Sequence, residues 1–354
     1  MQSQTKSSMH PLSGIKIVEF EGIGPGPLAG FMLAQMGADV TVVGRPGAGA
    51  LPDELTAKDD PLLSRGKSRV TLNLKREEDR AQAMDLVAQS DGLIEGNRPG
   101  VMERLGLGPD ACGKRNPRLV YGRMTGWGQD GPLAHTAGHD MNYVALTGVM
   151  SLTERPGHPP MVPPTVVGDA AGALGFAFGM VSALLGVRST GHGCVVDGAI
   201  VDVLAMLSPI AQLIRQRGGL EGSAPSVFHD SPFYDRYLCS DGRYITIGAI
   251  EPQFYALLLA QLELTDVNPA QQMDKSLWPA LKARIAQRFA SHPSGHWNAL
   301  MAGTDSCFAP VLTMAEAAAH PHNVARGLYS VTAKGDIETA RGMRFLPLLD
   351  TEMN

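Results

Sequence analysis

Short apolar runs alternate with amphipathic stretches along the first two hundred residues, in the order strand, helix, strand. Ile15-Lys16-Ile17-Val18-Glu19-Phe20 predicts a strand, entered through Pro11 and Gly14. A glycine-proline turn occupies 22–27. A helix is predicted over 28–36 up to Gly37, and a second strand over 39–43 ends at Gly44-Arg45-Pro46-Gly47. This is a β-α-β unit, for which parallel strands and a right-handed crossover are the rule. The pattern continues with a strand over 70–74, a charged amphipathic helix over 76–89, and strands over 92–95 and 119–124. Residues 169–185 read as a buried helix rich in Ala and Gly, 194–196 as a strand, and 199–216 as one long helix leaving the domain. Composition shifts at 217–223, which reads as a linker. Beyond it, strands over 237–239 and 244–247 flank Ser240-Asp241-Gly242-Arg243 as a hairpin, followed by helices over 254–262 and 277–289.

The fold class that follows is α/β, a large Rossmann-like domain with a parallel sheet plus a smaller α+β domain. The 354 residues suit two domains, or one large domain with an excursion. A net charge of −5 argues against a general nucleic-acid binder while leaving room for a local basic pocket. Apolar runs such as 199–207, broken by Asp202, fall short of the roughly 20 residues of a membrane span, so no membrane partner is expected. The polar start MQSQTKSSMH has no secretory h-region, and the end Thr351-Glu352-Met353-Asn354 is no peroxisomal signal, so the expected location is the cytoplasm. Cys112, Cys194, Cys239 and Cys307 form no C-x-x-C pair, and the ten histidines form no H-E-x-x-H, so no metal site or disulfide framework is expected.

Gly24-Pro25-Gly26-Pro27-Leu28-Ala29 fits a degenerate dinucleotide fingerprint after a strand. Pro25 and Pro27 remove N–H donors that a pyrophosphate needs, however, and Arg45 stands where an NAD site has an acid. These glycines read better as a tight turn with close helix–strand packing. Basic residues gather in Arg65-Gly66-Lys67-Ser68-Arg69, Lys75, Arg98 and Arg104. In an acidic chain such a cluster beside strand ends points to a phosphate-bearing small molecule, against the alternative of a solvated face. Met124-Thr125-Gly126-Trp127-Gly128-Gln129 reads as a loop above a sheet and leads to Gly138-His139-Asp140-Met141-Asn142-Tyr143. Asp169 stands at a helix start, as a plain N-cap or as a functional carboxylate. His139 reads from spacing alone as a satisfied core histidine, with an acid/base as the alternative.

Together with Arg45-Pro46-Gly47, Asn97-Arg98-Pro99-Gly100, Met102-Glu103-Arg104-Leu105-Gly106, Gly168-Asp169, Gly248 to Phe254 and His320-Pro321-His322-Asn323, these segments resemble the family III CoA transferases. Within them the chain is similar to the α-methylacyl-CoA racemases, which carry the Gly-His-Asp-x-Asn-Tyr motif seen at 138–143. Two departures are Thr165, where racemases commonly have Asn, and Ala170-Ala171-Gly172-Ala173, which replaces a more glycine-rich stretch.

The resemblance implies an isomerase of fatty acid metabolism that epimerises 2-methylacyl-CoA thioesters through an enolate. It names His139 and Asp169 as the two acid/bases, with Glu251, or Asp140 in its place, orienting His139 or relaying its proton. Burial after Gly168 would raise Asp169 above the usual aspartate range, and backbone N–H groups at Asp169 and Ala170 would stabilise the enolate oxygen. Arg45, Arg65, Lys75, Arg98 and Arg104 would bind CoA, which enters as part of the acyl-CoA substrate, with no separate cofactor. Implied too is an interlocked homodimer in which Glu251 completes the partner's site. The large CoA-binding domain is expected over 1–200, completed by 325–354. A linker helix and loop would span 201–225, and the small domain with its return linker 226–324. Two alternatives stand beside this reading: a transferase that moves CoA between carboxylic acids through an Asp169 anhydride and thioester, and a non-catalytic acyl-CoA binding protein.

Overall fold

In the computed structural model, residues 10–47, 61–155, 157–220, 225–339 and 342–346 are described. Three stretches discussed above lie outside them: the polar start to residue 9, linker residues 221–223 and the end at 351–354. The chain divides into two compact units. One comprises Met1–Glu154, Pro159–Ser208 and Gly327–Asn354, the other Arg155–His158 and Pro209–Arg326.

In the first unit β1 (Lys16–Phe20), β2 (Asp39–Gly44), β3 (Lys67–Thr71), β4 (Gly92–Glu95), β5 (Val120–Thr125) and β6 (Cys194–Ala199) form one sheet in the order β3-β2-β1-β4-β5-β6. Every neighbouring pair is parallel. This is the doubly wound order, whose direction reverses between β1 and β4. In sheets of this order ligands bind outside the carboxyl ends of the strands that flank the reversal.

The strand after the basic run lies three residues earlier than its hydrophobic pattern predicts, at Lys67–Thr71 in place of 70–74. The reason is a buried charge. Lys67 Nζ donates to Glu19 Oε2 at 2.7 Å and to the Pro27 carbonyl at 2.8 Å, with both charged side chains almost wholly enclosed. Burial, opposed by Lys67, pushes Glu19 up to about 7, and burial pulls Lys67 below the usual lysine range. Pairing with Val40 to Gly44 holds this polar strand in place where hydrophobicity alone would not.

Helix α1 (Pro25–Gln35) starts earlier than predicted because Pro25 at its first position has its φ set for a helix and needs no N–H partner there. Gly24 before it adopts φ 66, the left-handed region that favours glycine. Helix α2 (Glu77–Ala88) follows β3. Helix α3 (Asp140–Leu146) and a single π-helical turn, Val166–Ala170, precede α4 (Ala171–Thr190).

One expectation about apolar runs is corrected by that helix. Val166–Thr190, 25 residues, is long and apolar enough to cross a membrane by length and composition alone. Glycines interrupt its apolar residues, so counting unbroken runs passes over it. Its inner side, including Phe176, Ala177 and Met180, is buried in the core, whereas Leu174, Phe178 and Leu185 stay exposed.

The single long helix expected over 199–216 is two helices, α5 (Ile200–Leu207) and α6 (Pro209–Gln216). Pro209 supplies no N–H to the preceding turn, so the helical hydrogen-bond ladder is interrupted there and the chain passes to the second unit. That unit holds a three-stranded antiparallel sheet of β7 (Tyr234–Leu238), β8 (Tyr244–Gly248) and β9 (Phe308–Pro310). The expected hairpin is present. Helices α7 (Pro252–Gln261) and α8 (Trp278–Ala290) enclose a core centred on Phe233, Tyr255, Trp278, Phe289 and Trp297.

The Glu19–Lys67 pair leaves no space beside Gly30, where a Cβ would stand 1.8 Å from Glu19 Oε2 and 3.1 Å from Lys67 Nζ. Gly30→Ala is therefore expected to lower stability by about 2–3 kcal/mol through overpacking. Urea unfolding measures this, and an unchanged midpoint would show that the pair tolerates displacement.

Candidate active site

Asp169 lies in the π-helical turn that opens α4, half-buried, at the carboxyl end of the sheet. A Cβ on Gly24 would stand 3.3 Å from Asp169 Oδ2, so the start of α1 closes one side of the carboxylate. Burial first, then the negative charge of Asp140, pushes Asp169 up to about 6, and His139 opposes part of that rise. Asp169 is thereby held well above the ordinary aspartate range. It sits in the potential of a histidine and of a second acid.

His139 immediately precedes α3. Its backbone N–H donates to Asn142 Oδ1 at 3.0 Å, and the Asn142 N–H donates to the His139 carbonyl at 2.8 Å. The side chain of Asn142 thus fixes the helix start and the direction in which His139 leaves it. The residue is exposed, which removes the core-histidine reading. Behind it the Trp127 and Tyr143 rings meet edge to face at 4.7 Å, and Tyr143 Oη donates to the Gly138 carbonyl. Gly126 and Gly138 admit these rings, since a Cβ would stand 2.0 Å from Tyr143 at the first and 2.7 Å from Trp127 at the second. Burial, Asp169 and Asp140 together raise the Tyr143 hydroxyl above the usual tyrosine range.

Asp140 is engaged with backbone. Its Oδ1 accepts the Asp169 N–H at 2.7 Å and its Oδ2 accepts the Thr165 N–H at 3.2 Å. The Ala170 N–H donates to the Thr165 carbonyl at 2.8 Å. These bonds correct an expectation. The amides of Asp169 and Ala170, expected to stabilise an enolate oxygen, are already committed within the turn.

The basic residues divide into committed and exposed groups. Lys67 is buried with Glu19, and Arg69 Nη2 donates to Glu21 Oε1 at 2.6 Å. Burial acts on Glu21 to raise it, but its bonds to Arg69 and to the Arg45 N–H outweigh that and hold it below the usual glutamate range. Arg65 Nη1 donates to Glu338 Oε2 at 3.1 Å, on the hairpin of Tyr329–Val331 and Ile337–Thr339, and its guanidinium lies 5.5 Å over Phe31. Arg45, directly after β2, places Nε 3.7 Å from Glu21 Oε2 yet keeps a side chain 70% exposed. Lys75 after β3 and Arg98 after β4 are exposed at the same end of the sheet, as is Arg104 at the close of helix Val101–Arg104.

A buried network that the sequence reading passed over fixes the Arg98 loop. Glu95, fully enclosed, accepts the Asn97 N–H at 2.6 Å and Arg123 Nε at 3.0 Å, while Arg123 Nη1 reaches Glu103 Oε1 at 2.7 Å. The available signal was an acid closing the otherwise apolar run Gly92-Leu93-Ile94-Glu95.

Glu251 belongs to the second unit, where it precedes Pro252 at the start of α7. Its side chain makes no capping bond to the helix, so the carboxylate is exposed and available. Among the described residues no three His, Cys, Asp or Glu gather as a metal site.

The doubly wound sheet thus brings an elevated aspartate near its switch point and exposed cations after its strands. The chain belongs to CoA-transferase family III, whose sequence model matches residues 12–353. Within that family it is similar to human alpha-methylacyl-CoA racemase, with 39% identity over 329 residues covering 92% of this chain and 84% of that protein. It is also similar to acetyl-CoA:oxalate CoA-transferase of Acetobacter aceti, at 32% identity over 90% of this chain and 85% of that one. Among solved structures, a CAIB/BAIF family protein from Brucella suis matches with a TM-score of 0.78 at 27% identity, covering 96% of this chain and 93% of its own. Rv3272 from Mycobacterium tuberculosis matches with a TM-score of 0.78 at 28% identity, over 96% and 94%.

An acid whose folded pKa stands above its unfolded value holds extra protons in the folded state between the two values. For Asp169, stability therefore falls as pH rises from 3.8 to about 6. Asp169→Asn removes that loss, so the variant is expected to melt above the wild type at neutral pH and to converge with it below pH 3.8. Melting curves across this range check the sign, and a constant difference at all pH values would contradict it.

Proposed function

We propose that this protein interconverts the epimers of 2-methylacyl-CoA thioesters by proton transfer at the carbon next to the thioester, with His139 and Asp169 as the two acid/bases. The observation that carries the reading is the elevated carboxylate of Asp169 within the field of His139. Removing a proton from one face of that carbon and returning one to the other requires two groups of matched acidity. An ordinary aspartate is too strong an acid to hold a proton near neutrality. One titrating at about 6 approaches the range of imidazoles, about 6.5. The similarity to the human racemase supports the same chemistry.

In this reading either group serves as base and the other as acid, according to the epimer bound. The enolate lies between them, and no electron carrier or metal enters the balance. CoA phosphates are held by Arg45, Lys75, Arg98 and Arg104, and Arg65 joins by exchanging Glu338 for phosphate. The protein works as a homodimer, in which Glu251 of one protomer orients His139 of the other. The outward Leu174, Phe178 and Leu185 offer the apolar surface that such an assembly covers.

Proton NMR of a single-epimer 2-methylacyl-CoA in deuterated water tests the reaction. Deuterium uptake with loss of stereochemical purity, needing no acceptor acid, is expected from the wild type. His139→Ala and Asp169→Ala are each expected to slow it by roughly 10²–10⁴-fold. The similarity to the oxalate transferase favours a second reading, in which Asp169 acts as nucleophile. CoA moving to an added acid without α-exchange, and surviving His139→Ala, would establish that one.

Dimeric completion of the site has its own test. Two inactive chains, His139→Ala and Glu251→Ala, are refolded together in equal amounts. Half of the dimers are then mixed, each with one intact site, so about a quarter of wild-type activity returns. Continued inactivity would place Glu251 in the site of its own chain.

A further inference from the structure

We propose that Asp140 is a positioning residue whose carboxylate grips both ends of the 165–169 turn and thereby sets Asp169, without exchanging protons itself. The inference rests on the reading of Asp169 as a proton-transferring acid and assigns its neighbour a separate task.

The geometry is specific. Asp140 begins α3 directly after His139, and its two oxygens go to two different amides, Oδ1 to Asp169 at 2.7 Å and Oδ2 to Thr165 at 3.2 Å. Those amides stand at the two ends of the turn, so a single rigid carboxylate sets its span. Gly168, between them, must be glycine for this grip, because a Cβ there would stand 2.2 Å from Asp140 Oδ1 and 3.1 Å from the Asp140 carbonyl oxygen. Both oxygens of this carboxylate accept a backbone N–H, and such bonds favour its charged form, which suits an acceptor that holds a turn over one that exchanges protons.

The grip also opposes strain. Thr165 adopts φ 64, a left-handed conformation that is costly for a β-branched residue. The Asp140 bond to its N–H and the bond from Ala170 to its carbonyl hold it there. Relaxation of Thr165 to an extended conformation would swing the backbone that carries Asp169.

Charge adds a second consequence. Among the described residues three titratable groups face Asp169: His139 just before α3, Asp140 at its first position and Tyr143 one turn further along, while the Gly24 turn closes another side. Asp140 raises Asp169 and His139 lowers it. Neutralising Asp140 therefore leaves Asp169 a stronger acid.

The test uses the full-length chain with Asp140→Asn, Asp140→Ala, and Asp140→Ala combined with Thr165→Gly. Asparagine keeps one acceptor but turns an NH₂ toward a backbone N–H. Asp140→Asn is expected to lower kcat for α-deuterium exchange roughly 10- to 100-fold with KM little changed, the scale of a misplaced catalytic group. The acid limb of its pH profile is expected to move to lower pH. Asp140→Ala is expected to lose more, and Thr165→Gly to recover part of that loss, because glycine holds φ 64 unaided. Melting curves give a readout that needs no turnover: Asp140→Ala lowers the melting temperature and Thr165→Gly restores part of it. An unshifted acid limb in Asp140→Asn overturns the inference, as does an Asp140→Ala chain whose melting temperature equals that of the wild type. If the wild type exchanges no α-proton, the racemase reading fails on its own, and the melting series still decides whether Asp140 holds the turn.

Discussion

Lys67, on the edge strand β3, buries its amino group against the sheet, and the placement of its neighbours follows from the need to partner it. An ammonium so enclosed requires acceptors, and it finds the Glu19 carboxylate on β1 and the Pro27 carbonyl in the first turn of α1. Strand, strand and helix are thereby tied at one point, and Gly30 is confined to hydrogen because the pair fills the space beside it. With α1 anchored in this way, the turn before it brings Gly24 against the Asp169 carboxylate. A buried ion pair of this kind contributes little net stability. What it supplies here is register, between the helix that closes the site and the strands that open it.

Around Asp169 the same logic is repeated at shorter range. Gly126, Gly138 and Gly168 each stand where a side chain would collide with a group of the site or its supporting rings, and a Cβ at Gly24 would crowd the Asp169 carboxylate. Close approach of this kind excludes water and lets one residue's charge act on another. Asp140 and Asp169 are chemically identical side chains, yet one is engaged by two backbone amides while the other is half-buried beside it. Their different roles come from what each carboxylate accepts. The rim of exposed cations has a comparable division, since Lys67 and Arg69 answer to Glu19 and Glu21 while Arg45 and Arg98 remain open to solvent.

Much of this organisation was legible in the order of residues. The alternation of β1, α1 and β2, the apolar run of β4 and the hairpin of β7 and β8 announce themselves through periodicity and turn residues, which act over a few positions. The lapses share a cause. The third strand was placed too late because Lys67 reads as a surface residue until Glu19 is known to face it. The split at Pro209 passed unnoticed because both flanking segments have good helical character. The donors expected at Asp169 and Ala170 were misassigned because nothing local reveals that Asp140, 29 residues earlier in the chain, already accepts one of them.

Sequence by itself determined the element types, their order, the parallel doubly wound class and the identity of His139 and Asp169 as a pair to watch. Local propensity and hydrophobic period carry most of the elements, and the family resemblance that includes Gly138-His139-Asp140 and Gly168-Asp169 marks the pair. Tertiary structure decided what each charged group does. It buried Lys67, left Arg98 exposed, bound Asp140 to backbone and raised Asp169 to about 6. The physical reason is that solvation and partnering of a charge depend on groups brought near it by folding. Those groups come from distant parts of the chain, where no local pattern records them.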